Sequence, residues 1–175
     1  ACSQWVIEDE FAGPRPRWER VGAELVADVA PYETAKLRML NGAHSALAYI
    51  GLGRGHEYVH QAVADPEIRP LIERLMLDEA APTIIAAPGQ DLKAYAGALL
   101  DRFANPSLHH RLIQIAMDGS QKIPQRWLET LAWHQARGEH CPSLEAAVAA
   151  WIDFLRSDRP IDDPLAAPLK AAAAG

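Results

Sequence analysis

The chain has 175 residues, enough for one domain with a sizeable core. Its 49% hydrophobic and 23% charged content is ordinary for a soluble globular protein, and a net charge of −6 with the two signs interspersed leaves no basic footprint for nucleic acid. No apolar run nears the ~18 residues that a membrane span requires, and no signal-peptide pattern opens the sequence, so a cytoplasmic location is expected.

In chain order, Gln4 to Asp9 reads as a short strand, followed by a Gly13-Pro14-Arg15-Pro16 turn. A lone strand leaves its own backbone groups unpaired, so a partner outside this chain is expected. Val21 to Val29 is ambiguous between strand and helix. Pro31 suits the first turn of a long helix, about Tyr32 to Leu52, which the glycines at 51, 53 and 55 end. After Pro66, Ile68, Leu71, Ile72, Leu75 and Met76 recur at helical spacing. Asp91 is placed to cap a helix carrying Leu92, Tyr95, Ala96, Leu99, Leu100 and Phe103. Ser107 reads as the cap of another, through Ile115. A further helix runs from about Pro124 to Arg137, and Ser143 caps one whose Leu144, Val148, Trp151, Ile152 and Leu155 form an apolar stripe. From Asp158 the chain is rich in Pro and Ala without a core pattern, and an extended tail is expected. The fold class is mainly α with a short N-terminal strand segment. The expected organisation is a strand and turn segment over 1–30, an α-helical domain over 31–157 and an extended tail over 158–175.

Three polar residues interrupt the long apolar helix: Lys36, Asn41 and His44. Burying such groups without partners costs roughly 1–3 kcal/mol each, so they need a reason to be there. On an ideal helix Asn41 and His44 lie about 60° apart, and Lys36 lies about 80° from His44 with a long stem to swing. A potential base, an amide and an imidazole converging on one point suit the holding and deprotonation of a hydroxyl. Glu33, one turn before Lys36, is placed to pair with it or to relay its proton, and equally well to favour the helix dipole.

The other polar motifs read less sharply. His56-Glu57-Tyr58-Val59-His60 matches H-E-x-x-H, and Glu79 follows at the spacing of a zinc aminopeptidase, but the segment between Gly55 and Pro66 is short for a zincin's central helix. His109, His110, His134 and His140 show no ligand pattern and read as surface or capping residues. The five tryptophans read as core or interface. Cys2 and Cys141 lack metal-type spacing and read as free thiols, and no metal site is expected.

Trp5-Val-Ile-Glu-Asp9, Arg17-Trp18-Glu19, Asp28-Val-Ala-Pro31-Tyr32-Glu33, the Lys36 to His44 stretch, Arg102-Phe-Ala-Asn105-Pro106 and Asp118-Gly-Ser-Gln-Lys122-Ile-Pro124 occur in that order. Together they resemble the long-chain mannitol dehydrogenase family of polyol and sugar-acid dehydrogenases, over about Trp5 to Arg156. The segment Asp118 to Arg126 is more similar to the fructuronate reductase (mannonate oxidoreductase) branch. The resemblance implies a helical substrate domain similar to the carboxy-terminal domains of 6-phosphogluconate dehydrogenase-like enzymes. It implies Lys36 as the general base of alcohol oxidation, Asn41 and His44 as donors to the substrate oxygen, and Lys122 as a substrate-pocket residue. A dry pocket beside a positive nicotinamide would favour the neutral amine that such a base needs. Arg126, four residues after Lys122, is a candidate for a uronate carboxylate, although a solvated helix arginine is the plainer reading. Gln114 stands where the polyol-oxidising branch carries arginine, which argues against mannitol specificity.

The cofactor implied is NAD, bound mainly by a Rossmann domain that this chain lacks. No strand here runs into Gly-x-Gly-x-x-Gly, and Gly51-Leu-Gly53-Arg-Gly55 has the wrong spacing. The chain is therefore expected to be the carboxy-terminal, substrate-binding part of a longer enzyme, inactive alone. It would take a sugar acid or polyol as its small-molecule partner, with no nucleic acid and no membrane. Mannitol or polyol oxidation, a zinc metallopeptidase and a non-catalytic helical interaction module are the alternatives; oligomeric state is not legible.

Overall fold

The computed structural model describes residues 5–175, so Cys2 and Gln4 lie outside the described residues. Strand β1, Trp5–Glu8, pairs in parallel with β2, Ala23–Val26, with Trp5 opposite Ala23 and Glu8 opposite Val26. The strand partner expected outside this chain is thus supplied by the ambiguous 21–29 stretch. Gly22, at φ 94°, ends a 3-10 turn over Trp18–Val21 and turns the chain into β2, because only glycine adopts that left-handed conformation freely. Trp18 packs its ring against Trp5 and Phe11 above this small sheet.

The remainder is helical. Helix α1, Ala30–Ala35, carries Pro31 in its first turn and runs without a break through a π-helical segment, Lys36–Asn41, into α2, Gly42–Gly53. Helix α2 is apolar around most of its circumference, and Ala43, Ala46, Leu47 and Ala48 are fully buried. It is the axis of the core. Around it pack α3 (Val59–Ala64), α4 (Ile68–Arg74), α6 (Leu112–Ile115) and α9 (Pro142–Arg156). Helix α4 continues into a second π segment, Leu75–Ala80, while α5, Leu92–Phe103, starts at Asp91, whose carboxylate accepts the Ala94 N–H at 2.9 Å. The helix expected over 124–137 is a longer rod: α7 (Gly119–Ile123), a third π segment (Pro124–Leu128) and α8 (Glu129–Gln135).

Three sequence expectations are corrected. Ser107 caps no helix; its N–H donates to the Asn105 side chain at 3.0 Å. The chain turns over 105–108 and runs on without helix to Arg111, which bridges to Tyr58, and Leu112 N–H donates to Glu57 O at 2.9 Å, so α6 starts only at Leu112. Ser143 is not the cap of α9. The buried Glu79 carboxylate takes the N–H groups of Ser143 and Leu144 at 2.7 and 2.8 Å, where the helix dipole favours a negative charge. The 158–175 tail is not extended throughout. It holds α10, Ala166–Ala174, which lies on α9 with Ala173 buried and its carbonyl accepting from Arg156 Nε at 2.6 Å. Alanine is the strongest helix former, and its small methyls allow close packing that no stripe of large residues announces.

His134, read as a surface or capping residue, is buried. Its ring spans Glu79 O at 2.8 Å and the Glu139 carboxylate at 2.7 Å. Cys141 is buried and free, and burial pushes its thiol up to about 11, far from a reactive thiolate. Among the described residues no helix is long and apolar enough to cross a membrane.

Candidate active site

Lys36 and Asn41 are the first and last residues of the π segment, and His44 follows one turn into α2. In an α-helix two residues five apart point about 140° away from each other. A π turn closes its hydrogen bonds between residues five apart, which stacks them on one side. The wide turn therefore places Lys36 above Asn41, a relationship that α-helical spacing does not predict. The π segment packs against both other π segments. Arg38 ties them together, donating to Thr83 O and Oγ1 at 2.9 and 2.8 Å and pairing with Glu129 at 3.0 Å.

His44 is the most informative side chain of the three. Its Nε2 is buried and has no hydrogen-bond partner among the described residues, an arrangement that costs stability unless a ligand completes it. Phe103 packs on the ring at 4.6 Å between centroids, and His110 stands edge-on at 6.0 Å. Burial, reinforced by the charges of His110, Arg102 and Arg126, pushes its pKa down to about 4. At neutral pH the ring is uncharged, a hydrogen-bonding group rather than an acid. Asn41 is half-buried, and no described residue hydrogen-bonds to its side-chain amide.

Lys36 departs from expectation. Its side chain is exposed rather than enclosed in an apolar pocket, because nothing among the described residues covers the outer side of the π segment. Glu33 is exposed too, and the two make no ion pair within 4.0 Å.

Lys122 and Arg126 lie on the α7 rod and reach different neighbours. Lys122 Nζ donates to Met117 O at 2.5 Å and Ile115 O at 3.5 Å, satisfying carbonyls at the end of α6. Burial, then the nearby Arg126, lowers its pKa. Arg126 Nη1 donates to Ser45 Oγ at 2.8 Å and to Asn41 O at 3.4 Å. Ser45 carries no sequence signal, and His110, read as a surface or capping residue, is half-buried beside His44. Ser45 is one hydroxyl in an apolar helix, and the loop carrying His110 reaches the site only through the tertiary bridge from Arg111 to Tyr58. Gln114 is exposed.

The zinc reading is contradicted by geometry. His56 and Glu57 precede α3, so the two histidines do not share a helical turn. His56 Nε2 lies 3.0 Å from the Asp65 carboxylate, and Glu79 is consumed by the α9 N-terminus. Among the described residues no three His, Cys, Asp or Glu side chains come together as ligands.

A mainly α domain with polar residues gathered on the π turn of its central helix is the class that fold and site define. The family model of the mannitol dehydrogenase C-terminal domain matches residues 28–175, and the chain belongs to this family. It is 51% identical over 151 residues to D-mannonate oxidoreductase of Escherichia coli, covering 86% of this chain and 31% of that protein. It is 41% identical over 179 residues to mannitol dehydrogenase 2 of Saccharomyces cerevisiae, covering 97% of this chain and 35% of that protein. The fold superposes with TM-score 0.89 and 34% identity on Pseudomonas fluorescens mannitol 2-dehydrogenase in ternary complex with NAD and D-mannitol, covering 98% of this chain and 36% of that one. The chain thus spans about a third of the length of the relatives it matches.

Proposed function

We propose that this domain binds the substrate of an NAD-dependent dehydrogenase and carries its proton-transfer and carbonyl-polarising groups. The reaction is the interconversion of a keto-sugar acid, fructuronate, and a sugar acid, mannonate. The observation that carries the reading is the buried, unpartnered Nε2 of a neutral His44, one turn from the unengaged amide of Asn41. A substrate oxygen placed there completes both groups. As neutral donors they stabilise the alkoxide-like charge that develops on that oxygen. Lys36 takes the hydroxyl proton in oxidation and returns it in reduction. Glu33, one turn earlier and open to solvent, passes that proton on. Lys122 and Arg126 are the candidates to contact the rest of the substrate.

NAD, when bound, accepts the hydride. The residues present fit the substrate side of that chemistry and not the dinucleotide. The β1–β2 connection passes through a 3-10 turn and offers no glycine-rich strand-to-helix turn for a pyrophosphate. The reading therefore assigns the cofactor to a Rossmann domain of the kind the resemblance implies. Its closure over the π segment would supply the dry surroundings that Lys36 lacks in this chain. The assay is NADH oxidation by the enzyme carrying this domain, with fructuronate and with fructose. Preferred turnover of fructuronate is expected, and Lys36→Ala should lower kcat by about 10²–10⁴. Equal rates for wild type and Lys36→Ala would refute the mechanism, and preference for fructose would assign the domain to the polyol branch.

A further inference from the structure

The two cations expected to contact the substrate are both engaged. Lys122 is held by the Ile115 and Met117 carbonyls, and Arg126 by Ser45 and the Asn41 carbonyl. His110 is not. No described residue hydrogen-bonds to either of its ring nitrogens, while its ring stands 6.0 Å from that of His44 at 76°. Its backbone is fixed on both sides. The His110 N–H donates to Leu108 O at 2.8 Å, and its carbonyl accepts from Val59 N–H at 3.0 Å. Arg111 then bridges to Tyr58. An imidazole so anchored is half-buried, pre-positioned and free at its polar edge.

Arg102 and Arg126 both act electrostatically on His44, so a chain of net charge −6 brings two guanidinium groups near this one place. Such a corner favours an anionic substrate over a neutral one. From His44, where the reacting oxygen sits, His110 is one ring away, a reach that a few carbons of sugar chain span.

We infer that His110 is a specificity-determining residue, whose ring donates a hydrogen bond to the carboxylate of a sugar-acid substrate while the reacting oxygen lies on His44. This rests on the proposed function and adds the residue that separates acids from neutral ketoses. A hydrogen bond to a charged group is worth about tenfold or more in affinity.

The test compares His110→Asn and His110→Asp in the enzyme carrying this domain, using fructuronate and fructose. His110→Asn is expected to raise KM for fructuronate about tenfold more than KM for fructose, with kcat changing less than KM. His110→Asp sets a like charge against the carboxylate and should widen that difference further. Equal changes for both substrates in both variants would overturn the assignment. If the unsubstituted enzyme turns over neither substrate, the reaction has been misread, and binding decides the question about His110. In the 175-residue chain, mannonate should shift the imidazole ¹⁵N signals of His110 and mannitol should not. Unmoved His110 signals at saturating mannonate overturn it.

Discussion

The indole Nε1 of Trp127 donates to the carbonyl oxygen of Gly42 at 3.0 Å. This one bond joins the third π segment to the point where the first gives way to α2. A side chain at position 42 would intrude here, since its Cβ would lie 3.3 Å from Arg126 O and 3.7 Å from the indole. The rod that carries Lys122 and Arg126 is thereby seated directly on the turn that carries Lys36 and Asn41.

Trp127→Phe keeps the buried ring volume roughly in place and removes the donor. It should cost about 1–3 kcal/mol, because the Gly42 carbonyl loses this partner in a dry setting. Urea denaturation measures the loss. In an enzyme carrying this domain, the same change should lower kcat more than it alters KM, since it loosens the turn that carries Lys36, the proposed base.

His44 makes stability pH-dependent in a defined window. Its folded pKa is about 4 against an ordinary 6.5, so between these values the unfolded chain binds a proton that the folded chain does not. The contribution is fully present above about pH 6.5 and is lost as pH falls through the window, with the loss complete below about pH 4. It amounts to about 3 kcal/mol. Urea midpoints measured across this range should fall more steeply for wild type than for His44→Gln. Parallel curves would show that the imidazole is not held neutral.

Glu79→Gln should destabilise the domain by about 1–3 kcal/mol, through loss of the charge that meets two N–H groups and the dipole of α9. Glu79→Ala should cost more, because it leaves both donors buried and unpaired. Thermal unfolding of the two variants checks the order.

Gly119→Ala should also destabilise. The added Cβ would lie 2.7 Å from the Tyr49 hydroxyl and 2.9 Å from Trp151 Nε1. Tyr49 does not yield freely: it donates to Ala116 O at 3.0 Å and packs against Trp127 and Phe154. The expected loss is about 1–3 kcal/mol, read from the unfolding midpoint.

Much of this architecture was legible in the chain. Leu92 to Phe103 and Leu144 to Leu155 announced their helices by apolar spacing, and Asp91 announced its cap. Lys36, Asn41 and His44 stood out because polar groups in an apolar helix demand an explanation. What escaped depended on tertiary partners. Glu79 lies 64 residues from the Ser143 N–H that it caps. The start of α6 is delayed by a backbone bridge to Tyr58, and the alanines of α10 have no stripe to read. His110 offered no local pattern at all, since its nearness to His44 exists only after the 105–111 loop is pinned. The exposure of Lys36 was misjudged because periodicity reports which side faces the core, not what lies beyond the opposite one.

A π turn is an α-helix carrying one additional residue. Excising a single position between Lys36 and Asn41 would let the rod rewind into uninterrupted α geometry and swing everything upstream by about 100° relative to α2. The amine would then face a different quadrant from the amide and the imidazole, with every one of the three side chains still present. The alignment of the proposed base with the proposed oxygen donors is thus written in chain length as much as in residue identity.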